Sequence, residues 1–284
     1  MSADVDELEL LDVAREAASA AGRELLRRFR GEAIDVRTKS TETDPVSAAD
    51  LAAEAAIRAV IGARRPGDAI LGEEGGATGS GDAGVRWIVD PLDGTVDFLY
   101  GIPQWAVSVA CEEVGAGAGV GVGVEAGVGA GAAIAGIVLD PVRGEAFTAT
   151  RGGPALLGGA PVTASSVTSL DRALVATGFG YDSQMRAAQA GVLASVLPRV
   201  RDIRRAGAAA LDLAWCACGR VDAYFERGVQ PWDIAAGALL CARAGLVVRT
   251  LPALPTDRGG GGALPAGILV APAAIVDDLH TLVG

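Results

Sequence analysis

Histidine is nearly missing from this 284-residue chain, and its cysteines are too irregularly spaced to replace it. The one His is His280, and the four Cys (Cys111, Cys216, Cys218 and Cys241) include no Cys-x-x-Cys pair. A structural zinc site is excluded on that spacing, and free thiols in a reducing cytoplasm are expected. Long apolar runs are missing too. The nearest candidate for a membrane span, the Gly/Ala/Val tract 115–133, is interrupted by Glu125 and is too rich in Gly to hold a helix. It is expected to be an extended hairpin connection without a catalytic role. The N-terminal stretch MSADVDELELLDVAREAA lacks the basic start and apolar core of a signal peptide. Positive charge is short: 24 Lys+Arg against 35 Asp+Glu leave a net charge of −11. Such a surface repels nucleic-acid backbones and anionic membranes. It still admits a small phosphorylated substrate, because a bound divalent cation reverses the local sign.

What is present is a folding sequence, with 50% apolar and 21% charged residues and length for one or two domains. Its densest chemistry lies in nine residues, Asp90 to Phe98, DPLDGTVDF. The apolar run from Val85 to Val89 predicts a buried strand that stops at a carboxylate, where Pro91 forbids a regular ladder. A second carboxylate follows at Asp93, then Gly94 for a tight turn and the hydroxyl of Thr95. Two acids on a kinked strand end can converge on hard cations, which take oxygen ligands. The Gly94-Thr95 pair offers free backbone N–H groups at a helix start, where a phosphate can sit.

Around this turn the pattern alternates. Helices are predicted over the first 30 or so residues (apolar stripe Leu8, Leu11, Ala14, Ala18 and Leu25 or Leu26, ended at Gly31), over 47–61 with Ser47 as cap, and over 181–196, 208–218, 234–244 and 275–283. Strands are predicted at 34–39, 69–71, 106–112, 134–139, 145–149, 173–177, 221–226, 246–250 and 268–271, with a polar loop at 40–44. Alternation of this kind implies a parallel or mixed sheet. The turn-rich segment RGGPALLGGAPVTAS marks a boundary near residue 165. The expected division is an N-terminal α+β domain, 1–165, and a C-terminal α/β domain, 166–284. Acids stand at element ends: Asp50 in a helix first turn, Glu73 after a strand, Asp90 with Asp93, and Asp233 after Trp232. Each alone fits a cap or a solvated turn. Together, in a chain with one His, they are the material from which a polar reaction centre can be built.

These residues resemble the inositol monophosphatase family of Mg²⁺-dependent, lithium-sensitive phosphatases. Asp90 to Phe98 matches its Asp-Pro-Ile/Leu-Asp-Gly-Thr-x-Asn-Phe motif except at Asp97, and Trp232 to Gly237 matches Trp-Asp-x-Ala-Ala/Gly-Gly. Asp44 to Asp50 is similar to Asp-x-Val-Thr-x-x-Asp, and Gly72-Glu73-Glu74 also matches. The resemblance runs from about Leu8 to Val283. It implies a mixed α/β (α+β) fold, an αβαβα layered sandwich of the inositol monophosphatase and fructose-1,6-bisphosphatase type. It implies two or three Mg²⁺ per active site: Glu73, Asp90 and the carbonyl of Leu92 for the first, Asp90, Asp93 and Asp233 for the second. Thr95 and Asp50 resemble the pair that orients and deprotonates the attacking water, with Glu73 also on the catalytic side. Gly94 and Thr95 would hold phosphate oxygens, and Gly207, Ala209, Glu226 and Asp233 would face the substrate. Lys39 matches a family lysine near the metals, or is a solvated strand-end charge.

The expected activity is that of a phosphomonoesterase acting on inositol-1-phosphate or a related polyol or sugar phosphate, in a cytoplasmic homodimer. Rival substrates are histidinol phosphate, fructose-1,6-bisphosphate and 3′-phosphoadenosine 5′-phosphate. A rival of another class is a non-catalytic metal-dependent binding or regulatory protein on the same scaffold. Three departures stand out: Asp97 for Asn, expected to keep a local cap or turn hydrogen bond; the long Gly/Ala/Val tract; and the irregular segment 251–265. Ala208 replaces a usual hydroxylated residue. Arg204 and Arg205 are expected to face solvent, as is His280, while Trp87, Trp105 and Trp215 are expected in the core.

Overall fold

A computed structural model describes residues 6–29, 36–38, 45–79, 84–113, 133–254 and 264–284, with the backbone alone at 36–38 and 45–47. Gly31, Lys39, the loop 40–44, most of the tract 115–133 and most of the segment 251–265 therefore lie outside the described residues, as does the side chain of Ser47.

The first layer is a pair of helices, α1 (Glu7–Arg28) and α2 (Ala48–Arg64), joined through the small hairpin β1 (Val36–Thr38) and β2 (Pro45–Ser47). Asp6 caps α1 by accepting from the Leu8 and Glu9 N–H groups at 3.0 and 3.2 Å. That cap turns Leu8 outward, and it is 68% exposed; the buried stripe runs instead through Leu10, Leu11, Val13, Ala14, Ala17, Ala18, Ala21 and Leu25. Alanines at the seam let the two helices approach closely and bury Ala49, Ala53, Ile57 and Ile61 of α2.

This pair covers one face of an eight-stranded sheet in the order β10-β9-β8-β7-β6-β5-β3-β4. Its strands are β3 (Ala69–Gly72), β4 (Gly76–Thr78), β5 (Val85–Asp93), β6 (Ala106–Glu113), β7 (Ala133–Asp140), β8 (Glu145–Thr150), β9 (Leu156–Leu157) and β10 (Ala160–Pro161). The sheet is mixed: β3 runs parallel to β5, and the other pairs are antiparallel. The chain near residue 165 thus spends part of its turn-rich segment as the edge hairpin β9–β10. After β5 comes the short helix α3 (Thr95–Leu99).

The second sheet is mixed as well, ordered β12-β11-β13-β15-β14. It is made of β11 (Leu174–Thr177), β12 (Asp202–Arg204), β13 (Ala223–Arg227), β14 (Val247–Leu251) and β15 (Gly267–Ala271). Helices α5 (Ala209–Ala217) and α6 (Pro231–Arg243) pack between the two sheets. On the outer face of the second sheet, α4 (Ser183–Val196) lies against α7 (Val276–Val283). The layers are helix, sheet, helix, sheet, helix, held by three apolar cores, one under each outer helix layer and one running from sheet to sheet around α5 and α6. Trp87 and Trp105 are fully buried, whereas Trp215 is half-buried under the guanidinium groups of Arg143 and Arg220, 5.3 and 5.9 Å from its ring centroid. His280 on α7 is half-buried rather than solvent-facing. No helix among the described residues is long and apolar enough to cross a membrane.

Candidate active site

β5 does not stop at Asp90. It continues to Asp93, pairing with β6 at Asp90↔Ser108 and again at Asp93↔Ala106, with a register shift between. Pro91 sits inside that irregularity, where its missing N–H removes no ladder bond. Asp90 and Asp93 thereby project from a bulged strand end instead of alternating regularly. Gly94 follows at φ 91°, the left-handed region, and a Cβ there would stand 2.8 Å from the Gln104 carbonyl oxygen. It also serves as N-cap of α3, whose first residue is Thr95. Phe98, one turn on, is 1% exposed and packs against Phe29 and Trp105 with ring centroids 5.4 and 5.2 Å away. That aromatic cluster fixes α3 and hence Thr95.

The Thr95 hydroxyl lies 3.2 Å from Asp50 Oδ1 and 3.1 Å from the Leu92 carbonyl oxygen. Asp50, in the first turn of α2, is fully buried, and its Oδ1 accepts from this hydroxyl. Asp90 Oδ1 accepts from the Leu92 N–H at 3.0 Å. Asp93 reaches across the layers: its two oxygens accept from the N–H groups of Ala209 and Ala210 at 3.2 and 2.7 Å. Ala208, the N-cap of α5, has no side chain to supply that acceptor. Asp93 therefore caps α5 from the other sheet, a contribution worth about 1 kcal/mol in general. Asp233 is the third residue of α6, which begins at Pro231, and its Oδ2 accepts from the Gln230 N–H at 2.6 Å.

Glu73, Asp90, Leu92, Asp93, Gly94, Thr95 and Asp233 line one end of a cleft of about 450 Å³, which Asp50 itself does not line. Gly207 and Glu226 line the other, with Ala209 joining the two through its N–H to Asp93, and Glu226 Oε2 accepts from the Tyr224 phenol at 2.6 Å. Burial raises the Asp90 carboxyl well above its ordinary value, and the charges of Glu73, Asp93 and Asp233 push it further. Asp93 is raised well above its ordinary value too, first by burial and then by Asp233, with the Ala210 N–H working the other way. The donor set thus fits a divalent cation: hard carboxylate oxygens, two buried (Asp90, Asp93) and two half-buried (Glu73, Asp233), whose mutual repulsion positive charge would relieve. Among the described residues, no three His, Cys, Asp or Glu side chains close around one point as they stand. The acids converge on a cleft whose backbone donors already engage them.

Three side chains of the cleft region differ from expectation or were not anticipated. Arg205 is exposed, as expected, yet it also borders the cleft, and its charge acts on Asp97, Asp212 and Glu226; Arg204 is exposed and pairs with Asp202 at 2.7 Å. Asp97 makes no cap: its Oδ2 is buried without a hydrogen-bond partner, against Gly207, where φ is 107° and a Cβ would collide with it. Asp212 on α5 lines the cleft, is 1% exposed, and has a buried Oδ1 without a partner. Burial raises the Asp212 carboxyl well above its ordinary value, with Glu226 adding to the effect and Arg205 opposing it. A charged residue within the apolar run Ala208 to Cys218 was the one local signal for it.

A model of the inositol monophosphatase family matches residues 6–273. An inositol-1-monophosphatase of Mycobacterium leprae is 44% identical over 253 residues, covering 86% of this chain and 79% of that protein. A Nus factor SuhB of Pseudomonas aeruginosa is 42% identical over 245 residues, 84% of each. The crystal structure of the extragenic suppressor protein suhB from Bartonella henselae superposes with a TM-score of 0.80 at 33% identity, covering 96% of this chain and 98% of that one. Fold and matches together define a phosphoric monoester hydrolase of layered α/β build. The chain belongs to the inositol monophosphatase family.

Proposed function

We propose that the chain hydrolyses inositol-1-phosphate, or a related polyol or sugar phosphate, with two or three Mg²⁺ per site. The observation that carries this is the buried Thr95–Asp50 hydrogen bond, 3.2 Å long, opening on the same cleft as Glu73, Asp90, Asp93 and Asp233. Glu73, Asp90 and the Leu92 carbonyl would hold one cation, and Asp90, Asp93 and Asp233 another. When bound, Mg²⁺ supplies Lewis-acid charge that polarises the phosphate ester and makes water more acidic. Thr95 Oγ1 orients water and passes its proton to Asp50 Oδ1, since a hydroxyl is too weak a base alone. The N–H groups of Gly94 and Thr95 bind phosphate oxygens at the start of α3.

At the other end, Glu226 and Asp212 in the lining, with Asp97 against Gly207 next to it, outnumber Arg205, and the Arg227 guanidinium is already engaged by the carbonyls of Val283, Pro252 and Pro265. That balance favours a hydroxyl-rich, uncharged leaving group over the second phosphate of a bisphosphate. Residues 1–165 would carry most ligands, and 166–284 would bring Asp233 and the substrate side. A cytoplasmic homodimer completes the proposal. Some relatives are named Nus factor SuhB, but the acid-lined cleft supports the hydrolase reading.

The test is phosphate release from inositol-1-phosphate, glycerol phosphate, histidinol phosphate, fructose-1,6-bisphosphate and 3′-phosphoadenosine 5′-phosphate, with Mg²⁺, with EDTA, and with added Li⁺. Turnover of the polyol esters that needs Mg²⁺ and falls with Li⁺ is expected. Release unaffected by EDTA, or confined to a bisphosphate, overturns the proposal.

A further inference from the structure

Four residues after Asp50, and so on the same face of α2, stands Glu54. It is 3% exposed and is not among the residues that line the cleft. Its Oε2 accepts from the Glu74 N–H at 2.7 Å, and its Oε1 from the Gly75 N–H at 2.8 Å and from Arg58 Nε at 2.7 Å. Arg58 extends the same grip, with Nη2 donating to the Gly76 carbonyl at 2.7 Å and Nη1 to Thr78 Oγ1 at 2.6 Å. The turn after Glu73 is thus held through its N–H groups and through a carbonyl by one ion pair on α2. On the other side, the Glu73 N–H donates to the Val89 carbonyl, one residue before Asp90, at 3.3 Å.

The local sequence makes room for this arrangement. A Cβ at Gly72 would lie 2.7 Å from the Glu54 carboxylate, and one at Gly75 would lie 2.6 Å away. A buried carboxylate is strongly unfavourable unless it is paired and hydrogen-bonded, and here two backbone donors and a guanidinium satisfy it. A carboxylate with no partner but Arg58 would serve local stability alone. One that grips consecutive N–H groups of the turn bearing Glu73 also sets where Glu73 points.

We propose that Glu54 is a positioning residue for Glu73, and that α2 is the common frame for two parts of the site. Through Asp50 the helix meets Thr95; through Glu54, one turn later, it fixes the Glu73 turn. The inference rests on the reading of Glu73 as a metal ligand. Supporting groups of this kind change metal affinity roughly tenfold to a hundredfold when lost.

The experiment is calorimetric titration of the intact chain with Mg²⁺ alone, together with amide hydrogen exchange and thermal melting. Glu54→Gln keeps the shape but loses one acceptor and the charge that Arg58 faces. Gly75→Ala presses on the same carboxylate from the exposed side of the turn, at a position without positive φ, and carries the test should the first variant fail to fold. The control is Glu112→Gln, which breaks the Arg86–Glu112 pair four ladder positions from the Asp90↔Ser108 pairing. Both test variants are expected to bind Mg²⁺ roughly tenfold to a hundredfold more weakly and to exchange the Glu74 and Gly75 amides faster. The control is expected to melt lower with its Mg²⁺ affinity unchanged. A test variant that melts lower yet binds Mg²⁺ like the parent overturns the role of Glu54. A parent chain that binds no Mg²⁺ overturns the ligand reading of Glu73, and this inference with it.

Discussion

At the Glu73 end of the cleft, carboxylates meet backbone and hydroxyl donors: buried Asp93 has two N–H groups, buried Asp90 one, half-buried Asp233 one, and Asp50, behind the lining, the Thr95 hydroxyl. At the Gly207 end, Asp97 Oδ2 and Asp212 Oδ1 are buried with no partner, and Glu226 has a phenol. The first end is preorganised, its acids fixed before any ligand arrives. The second holds acceptors that lack donors, each costing about 1–3 kcal/mol where no water or ligand supplies one. The two ends therefore divide the work. One orients the reacting phosphate, and the other carries stored demand for hydroxyl donors.

Breaking the preorganised end has the largest expected effect. Asp93→Asn retains one carbonyl oxygen for Ala209 or Ala210 but turns an amide NH₂ toward the other N–H. Loss of the charge and of the cross-layer cap should lower kcat/KM by roughly two to three orders of magnitude, the scale of a removed preorganised electrostatic contact. Circular dichroism should still report the native fold. Turnover within a few-fold of the parent would remove Asp93 from the site.

Changing the other end should also move stability. Asp212→Asn deletes a buried charge whose Oδ1 has no donor, and is expected to raise the stability at neutral pH by about 1–3 kcal/mol. The pH dependence follows from the direction of the shift. Because burial raises the folded-state carboxyl above its unfolded value, the parent is most favoured, as far as this group goes, below the ordinary aspartate range. That contribution is lost as pH rises through the higher folded value. The melting-temperature gap between Asp212→Asn and the parent, measured in EDTA, should therefore widen as pH rises from about 4 and then level off. A gap that is constant with pH would show that Asp212 does not carry the buried charge.

Much of the first end was legible because its cues are local. Asp90, Pro91, Asp93, Gly94 and Thr95 stand within six residues, and each signals through backbone chemistry: a kink, a turn, a helix start. Even so, Pro91 suggested that the strand ends at Asp90, whereas a register shift carries it on to Asp93. A bulge depends on the partner strand, and nothing in the nine residues encodes Ser108 or Ala106. The second end was poorly legible for the same reason. Arg205 borders the cleft because β12 and the turn at Gly207 bring it opposite Asp212 and Glu226, a relation between three elements. Asp97 looked like a local cap, yet its carboxylate sits against Gly207, 110 residues away in the chain. Alternation of strands and helices implied a parallel or mixed sheet and the five layers followed from the family resemblance, while the short strands β4, β9, β10 and β12, at or next to sheet edges, carried too little pattern to predict.

The smallest expected effect sharpens the comparison most, because it asks whether Asp97 and Arg205 act as a pair. Burial raises the Asp97 carboxyl and the Arg205 charge opposes that shift, so the two side chains sense each other without a direct hydrogen bond. Asp97→Asn restores the residue usual at this place in the family motif and should by itself shift stability by less than about 1 kcal/mol. Arg205→Gln by itself leaves Asp97, Asp212 and Glu226 without their opposing charge and should cost more. In the double variant the Asp97 part of that repulsion is gone. A double-mutant cycle read from urea midpoints should then give a coupling of about 0.5–1 kcal/mol. Strict additivity would mean that Arg205 answers Asp212 and Glu226 alone, leaving Asp97 as an isolated buried acceptor beside Gly207.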